Sequence, residues 1–247
     1  TMKLHLPKLL RVAVLTAMTF TLAAPAVAES INLSTVQVSD NTYTHTEESL
    51  TLGTDERMGL KDGDTWKNIS ANQVLQSGVV TPNVVIKDEL ELTSNSRVDV
   101  GGLVGSNYRG ITANKISVCD TAQLYAFKVN VNTLDVSGGN VEINYDKGGN
   151  AASTGYGASG NAGTSYANAK QTHIKEVLKV SDGTVKIGSH QSDHSMYAGT
   201  KHILTVFGYQ STTGGSIITQ EGGTLDIQGK TATVGNFTIE QTGGTMN

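Results

Sequence analysis

The chain has 247 residues, a net charge of −4, 28 glycines, a single cysteine and only 5% aromatic residues. An acidic, aromatic-poor chain lacks the basic stripes that nucleic-acid binding needs and the cationic clusters that hold a protein on anionic lipid. One cysteine, Cys119, excludes an intramolecular disulfide and with it a small disulfide-stapled scaffold.

Residues 1–28 differ from the rest. Lys3, Lys8 and Arg11 form a basic start with no acid, Val12 to Leu22 is mostly apolar, Pro25 breaks the run, and Ala26-Val27-Ala28 presents small residues before Glu29. This is the anatomy of a secretory signal peptide. The apolar core falls short of the ~20 residues of a membrane span and contains Thr16, Thr19 and Thr21. Cleavage after Ala28 is expected, with export through the inner membrane. It would remove three cations and no acid, taking the net charge from −4 to −7. Met2 reads as the initiator, which makes Thr1 a remnant of upstream sequence.

Residues 29–75 hold a polar run, Thr42 to Glu48, and the lone tryptophan, Trp66. They read as an N-terminal segment and a candidate cap that shields the first coil. From 76 to 247 a pattern recurs. Leu134-Asp-Val-Ser-Gly-Gly-Asn-Val-Glu-Ile143, Leu178-Lys-Val-Ser-Asp-Gly-Thr-Val-Lys-Ile187, Ile218-Thr-Gln-Glu-Gly-Gly-Thr-Leu-Asp-Ile227 and Ile239-Glu-Gln-Thr-Gly-Gly-Thr-Met-Asn247 align with one another. Each has alternating residues, a glycine turn, and alternation again. Period-two alternation marks strands with one buried face, and glycine supplies the positive φ of a sharp turn.

Two weaker units lie upstream. Leu90 to Val100 has the same form with one extra turn residue, and Ile116-Ser-Val118 is followed by Leu124. Cys119 fits the end of that packed strand, and Val129 and Val131 should point inward. The steps of 44, 40 and 21 residues between the four clear units read as two, two and one multiples of a 20–22-residue coil. Such a period predicts a solenoid, with roughly nine or ten coils in a rod on the order of 45 Å long. The expected fold is all-β, a right-handed parallel β-helix with Gly-rich loop insertions. A β-sandwich also has short strands and glycine turns, though it needs no turns in register. Ile174, Val177 and Leu178 have helical spacing, but alignment with the other units predicts strand over 177–180.

Two stretches interrupt the repeat. Residues 147–170 are Gly/Ala/Ser/Asn-rich and read as a flexible loop, and residues 189–202 are a polar insertion rich in Ser and His. The chain stops inside the repeat at Asn247, which would leave an open strand edge, so the sequence reads as part of a longer protein.

The signal peptide, the lone cysteine, the acidic Gly/Thr/Asn/Val-rich region and the units ending Gly-Gly-Thr-Leu-Asp-Ile227 and Gly-Gly-Thr-Met-Asn247 resemble the passenger region of a Gram-negative type V autotransporter. Gly-Gly-Thr-Leu is similar to the autotransporter-associated β-strand repeat. The resemblance covers residues 2–28 and roughly 85–247. It implies a parallel β-helix displayed on the cell surface or released outside, carried across the outer membrane by a C-terminal β-barrel that this sequence lacks. It also implies an adhesin acting in adhesion, aggregation or biofilm formation, with a host or matrix glycan or protein, or another copy of itself, as partner. Some members of the family are proteases or esterases.

Catalytic motifs are missing from the sequence. There is no Gly-Asp-Ser-Gly and no Gly-x-Ser-x-Gly elbow. His190, Asp193 and His194 are suitable metal-ligand types, but their spacing fits no strong motif and solvated loop side chains are the better reading. Asp135, Glu142, Lys186 and Asp226 occupy outward positions, where charge is the default. A polysaccharide-cutting β-helix would need such acids to converge in one groove. The Gly-rich loop has no Lys-Ser/Thr ending and is no phosphate cradle. No catalytic, cofactor-binding or metal residue is nominated, and no cofactor is expected.

Overall fold

In the computed structural model, the structure describes residues 29–68, 80–104, 107–143, 172–187, 205–207, 216–227 and 237–247. Residues 1–28, expected to be a signal peptide, 147–170, expected to be a Gly-rich loop, and 189–202, expected to be a polar insertion, lie outside these residues. The described chain is all-β, with no helix. Seventeen strands join in one large sheet whose pairings are parallel, and two short antiparallel hairpins stand apart from it.

The parallel strands fall into three ladders. The first runs through Thr42–Thr44, Asn83–Val85, Ile111–Thr112 and Thr205–Phe207. The second runs through Leu50–Leu52, Glu89–Leu92, Lys115–Val118, Ser216–Gln220 and Phe237–Gln241. The third runs through Ile31–Asn32, Arg57–Gly59, Arg97–Val100, Gln123–Ala126, Thr224–Ile227 and Thr245–Met246. Two long strands, Val129–Ile143 and Thr172–Ile187, bend through all three and bind the ladders together.

Alternation explains the core. In the second ladder Leu50, Leu90, Ile116, Leu134, Leu178 and Ile218 lie in one line and are at most 2% exposed. In the third, Met58, Val98, Leu124, Val141, Val185 and Leu225 lie in another, each fully buried. Each such side chain contributes roughly 1.5–3 kcal/mol relative to exposure, and only stacking on the neighbouring coils removes it from water. Val129 and Val131 point inward, and residues 177–180 are strand, as the alternation requires. The expected cap is partly built of rungs too, because Leu50 pairs with Leu90 and Met58 with Val98.

The coil count needs correction. Leu134 pairs directly with Leu178, and Leu178 with Ile218. The steps of 44 and 40 residues are therefore single coils lengthened by insertions, not pairs of 20–22-residue coils. Among the described residues the second ladder has seven rungs, spanning about 30 Å at the usual strand spacing. Periodicity misled because loop length, invisible to the packing, was counted as if it were coil.

The turn between second and third ladders is the constant part of each coil. Eight residues separate Leu50 from Met58, Leu90 from Val98 and Ile116 from Leu124, and seven separate the paired positions from Leu134–Val141 onward. The longer turns place Asp55, Ser94 and Asp120 at positive φ; the shorter ones use Gly139, Gly183, Gly223 and Gly244. Glycine is required in the shorter turn for space as well as dihedral. A Cβ at Gly183 would sit 2.6 Å from Gly139 O of the coil below.

Candidate binding face

The outward side of the third ladder carries the densest polar network. One line of side chains there is Arg57, Arg97, Gln123, Asn140, Thr184, Thr224 and Thr245; beside it runs Asp99, Tyr125, Glu142, Lys186 and Asp226. Outward residues of successive rungs lie about 4.8 Å apart, so their heads meet and bond from coil to coil.

Asp99 anchors the N-terminal part. It is 1% exposed. Arg97 grips it with two bonds, Nε to Oδ2 at 2.7 Å and Nη2 to Oδ1 at 2.9 Å, and Arg57 adds Nη2 to Oδ2 at 3.2 Å. A bidentate guanidinium is the geometry in which a buried carboxylate is best compensated. Burial works against the charge of Arg97, but the bonds and charge of Asp99 outweigh it and raise the guanidinium pKa. Arg97 also lies 4.2 Å from the centre of the Tyr125 ring and donates to Gln123 Oε1 at 2.8 Å. Arg57 and Lys61 approach the Trp66 ring at 5.5 and 5.9 Å. Trp66 is brought there by the hairpin of Lys61–Asp62 with Thr65–Trp66.

Farther along, Asn140 donates to Tyr125 Oη and to Glu142 Oε1, both at 3.3 Å, and Lys186 stands 3.8 Å from Glu142. Glu142, Lys186 and Asp226 thus take the outward positions the sequence assigned them. Asp135 does so on the second ladder, in line with Ser117 and Lys179. Of the four, Glu142, Lys186 and Asp226 follow one another along the third ladder, and Asp135 lies apart on the second. Asp99 and Glu142 are separated by Tyr125, and Glu142 and Asp226 by Lys186. Asp99 is closed from solvent and held by two arginines, so its carboxylate is not presented to a bound sugar. Among the described residues no group of three or more His, Cys, Asp or Glu could hold a metal ion. His190, Asp193 and His194 lie outside the described residues.

Arg57, Arg97, Asp99 and Tyr125 were not singled out from sequence. A signal was present: Arg57-Met-Gly and Arg97-Val-Asp-Val set arginine at the same place before an inward residue. Recognising it required knowing that Met58 stacks on Val98.

Loop length varies chiefly at one corner, where the chain leaves the third ladder for the first ladder of the next coil. The hairpins at Lys61–Trp66 and Leu103–Tyr108 project there. Residues 144–171 and 188–204 join the same two ladders. Insertions between successive coils are common places for recognition in stacked-coil folds.

No family model, no curated protein and no solved structure matches the chain.

Proposed function

We propose that the chain is the exported passenger part of a type V autotransporter, a right-handed parallel β-helix that works on the cell surface in adhesion, aggregation or biofilm formation. The observation that carries this reading is the parallel, in-register pairing of the repeat units, Leu134 on Leu178 on Ile218 on Ile239. A β-sandwich would pair its repeats antiparallel. A rod of stacked coils suits a role that needs reach and many repeated weak contacts. Its outward rows of Arg, Gln, Asn, Thr and Tyr are hydrogen-bonding groups suited to a glycan, a matrix protein or a second copy. The signal-like residues 1–28 support export, and the acids spaced out between Tyr125 and Lys186 do not favour a polysaccharide-cleaving site.

The test has two parts. The first is the reading frame beyond Asn247, where further Gly-Gly-Thr units leading into a β-barrel are expected. The second is protease shaving of intact cells that express the whole frame, followed by an adhesion and autoaggregation assay. Cleavage from outside together with adhesion supports the reading. A chain protected from protease, or cells that neither adhere nor aggregate, overturns it.

A further inference from the structure

Two cations stand on successive coils at the variable corner, and no acid pairs with either among the described residues. Arg109 follows the Leu103–Tyr108 hairpin, and Lys128 stands in the short form of the same corner one coil later. The strands are tied together there. Arg109 N donates to Gly102 O at 2.9 Å, and Ile111 N donates to Lys128 O at 3.0 Å. Gly110, between them, makes the room, because a Cβ there would overlap the Lys128 side chain. The lysine stem is therefore laid across the backbone next to Arg109.

Arg109 is 9% exposed, and its Nε is buried without a hydrogen-bond partner. Elsewhere the protein pairs its less exposed cations: Arg57 and Arg97 with Asp99, Lys186 with Glu142. Burying a charge without a partner is costly, and two like charges together compound the cost. Burial, and then the charge of Arg109, hold the Lys128 ammonium below its ordinary pKa. An oxyanion that took bonds from both would offset both penalties. A guanidinium beside an ammonium is the donor set that carboxylate and sulfate groups take.

We infer that Arg109 and Lys128 form a binding site for an oxyanion, the carboxylate or sulfate of an acidic polysaccharide. The inference deepens the adhesion reading and rests on it for the polymer. The site itself stands on two cations that no acid pairs with among the described residues.

Titration of the purified chain with dextran sulfate, polygalacturonate, neutral dextran and inorganic sulfate tests it, alongside Arg109→Gln and Lys128→Gln. Wild type should bind the two acidic polymers and not neutral dextran, and each variant should weaken that binding at least about tenfold. Lys128 is only half-buried, so its variant keeps the test alive should Arg109→Gln fold poorly; circular dichroism checks both. Binding of inorganic sulfate alone, lost in the variants, keeps the oxyanion site and assigns it to a free ion. No oxyanion bound by wild type, or variants that bind as wild type does, overturns the site. Cells that adhere despite that failure leave the surface reading standing. Acidic polymers bound by a chain that never reaches the cell surface would sink the surface reading and leave the site.

Discussion

Leu178 pairs directly with Leu134, forty-four residues earlier in the chain. Both are fully buried. Residues 144–171 leave after Ile143 and the chain returns at Thr172 in the first ladder, so the coil above resumes the register of the coil below. The packing therefore depends on the rung residues and is indifferent to what is inserted between coils. A closed loop costs only about 0.6 kcal/mol more for each doubling of its length, which is small beside a rung of buried aliphatics.

Val136 and Ile187 sit in the middle of their inward lines, 0% and 1% exposed. Val136→Asp or Ile187→Asp would bury an unpaired carboxylate and should cost several kcal/mol. Val136→Ala should cost roughly 1–3 kcal/mol. In a solenoid the damage is expected to spread from the substituted coil to its neighbours. Urea unfolding followed by hydrogen exchange checks this, and an aspartate variant that melts with wild type would place those side chains outside the core.

The two turn types should respond unequally. Gly183→Ala forces a Cβ into positive φ, at φ 81, and against the Gly138–Gly139 backbone. A loss of more than about 2 kcal/mol is expected. Asp120 already adopts φ 53 in the longer turn and accepts a bond from Ser94 N at 3.3 Å. There the Asp120→Gly substitution relieves the dihedral while losing that bond, and should stay within about 1 kcal/mol of wild type. Equal losses at the two positions would mean that turn length does not decide the need for glycine.

Strand, inward face and turn glycine were legible at 134–143, 178–187 and 218–227, because alternation and positive φ leave direct traces in residue type; at 239–247 strand and turn glycine were, while Ile239 is 48% exposed. The true coil boundaries were not. Only the pairing of Leu134 with Leu178 separates an insertion from a second coil. The earlier rungs were faint because Asp55, Ser94 and Asp120 do the work of glycine there. The Arg97–Asp99–Arg57 knot and the Arg109–Lys128 pair escaped notice for a related reason. Both join residues of different coils, and no local pattern encodes which coil lies next to which.

Acid and alkali should each loosen the second ladder. Burial of Glu89 opposes its ionisation, but hydrogen bonds from Ser117 at 2.6 Å and from Lys115, with the Lys115 charge, outweigh it and lower its pKa. A lowered carboxyl contributes stability above its unfolded value, about 4.3, that is lost as pH falls through the folded value. The Glu89 hydrogen bond is the largest influence on Lys115 and raises its pKa. Its contribution is present below the unfolded value, about 10.4, and is lost as pH rises through the folded one. In Ser117→Ala the Glu89 titration, followed by carboxyl-carbon NMR, should move upward. An unmoved titration would remove the hydroxyl from the account.

Gln220 occupies an inward position that is Leu52, Leu92, Val118, Val136 or Val180 in the coils before it, and it is fully buried. Its Nε2 donates to Thr245 O at 2.7 Å and, more weakly, to Gly222 O and Gly223 O at 3.4 Å. Gln241, one rung on, donates to Gln220 Oε1 at 3.3 Å. The amide thus meets carbonyl acceptors on one side and a donor on the other. Gln220→Leu restores the residue type of the earlier coils and removes both partners' bonds. Gln241 and Thr245 are exposed, so water can take up the amide and carbonyl they leave free, and a change within about 1.5 kcal/mol is expected. Gln220→Glu differs by one group, yet sets a carboxylate against three carbonyl oxygens. It should destabilise by several kcal/mol at neutral pH, since the buried charge faces carbonyl oxygens that have lost their donor. Burial and those carbonyls favour the protonated acid, which can donate to Thr245 O, so the pKa of the introduced carboxyl should be raised. Stability should then be greater below that folded value and fall as pH rises through it. Melting temperatures of Gln220→Glu, Gln220→Leu and wild type between about pH 4 and 8 decide the matter. The glutamate variant alone should gain on acidification, and parallel curves for all three would mean that the Gln220 amide does not face the Thr245 carbonyl.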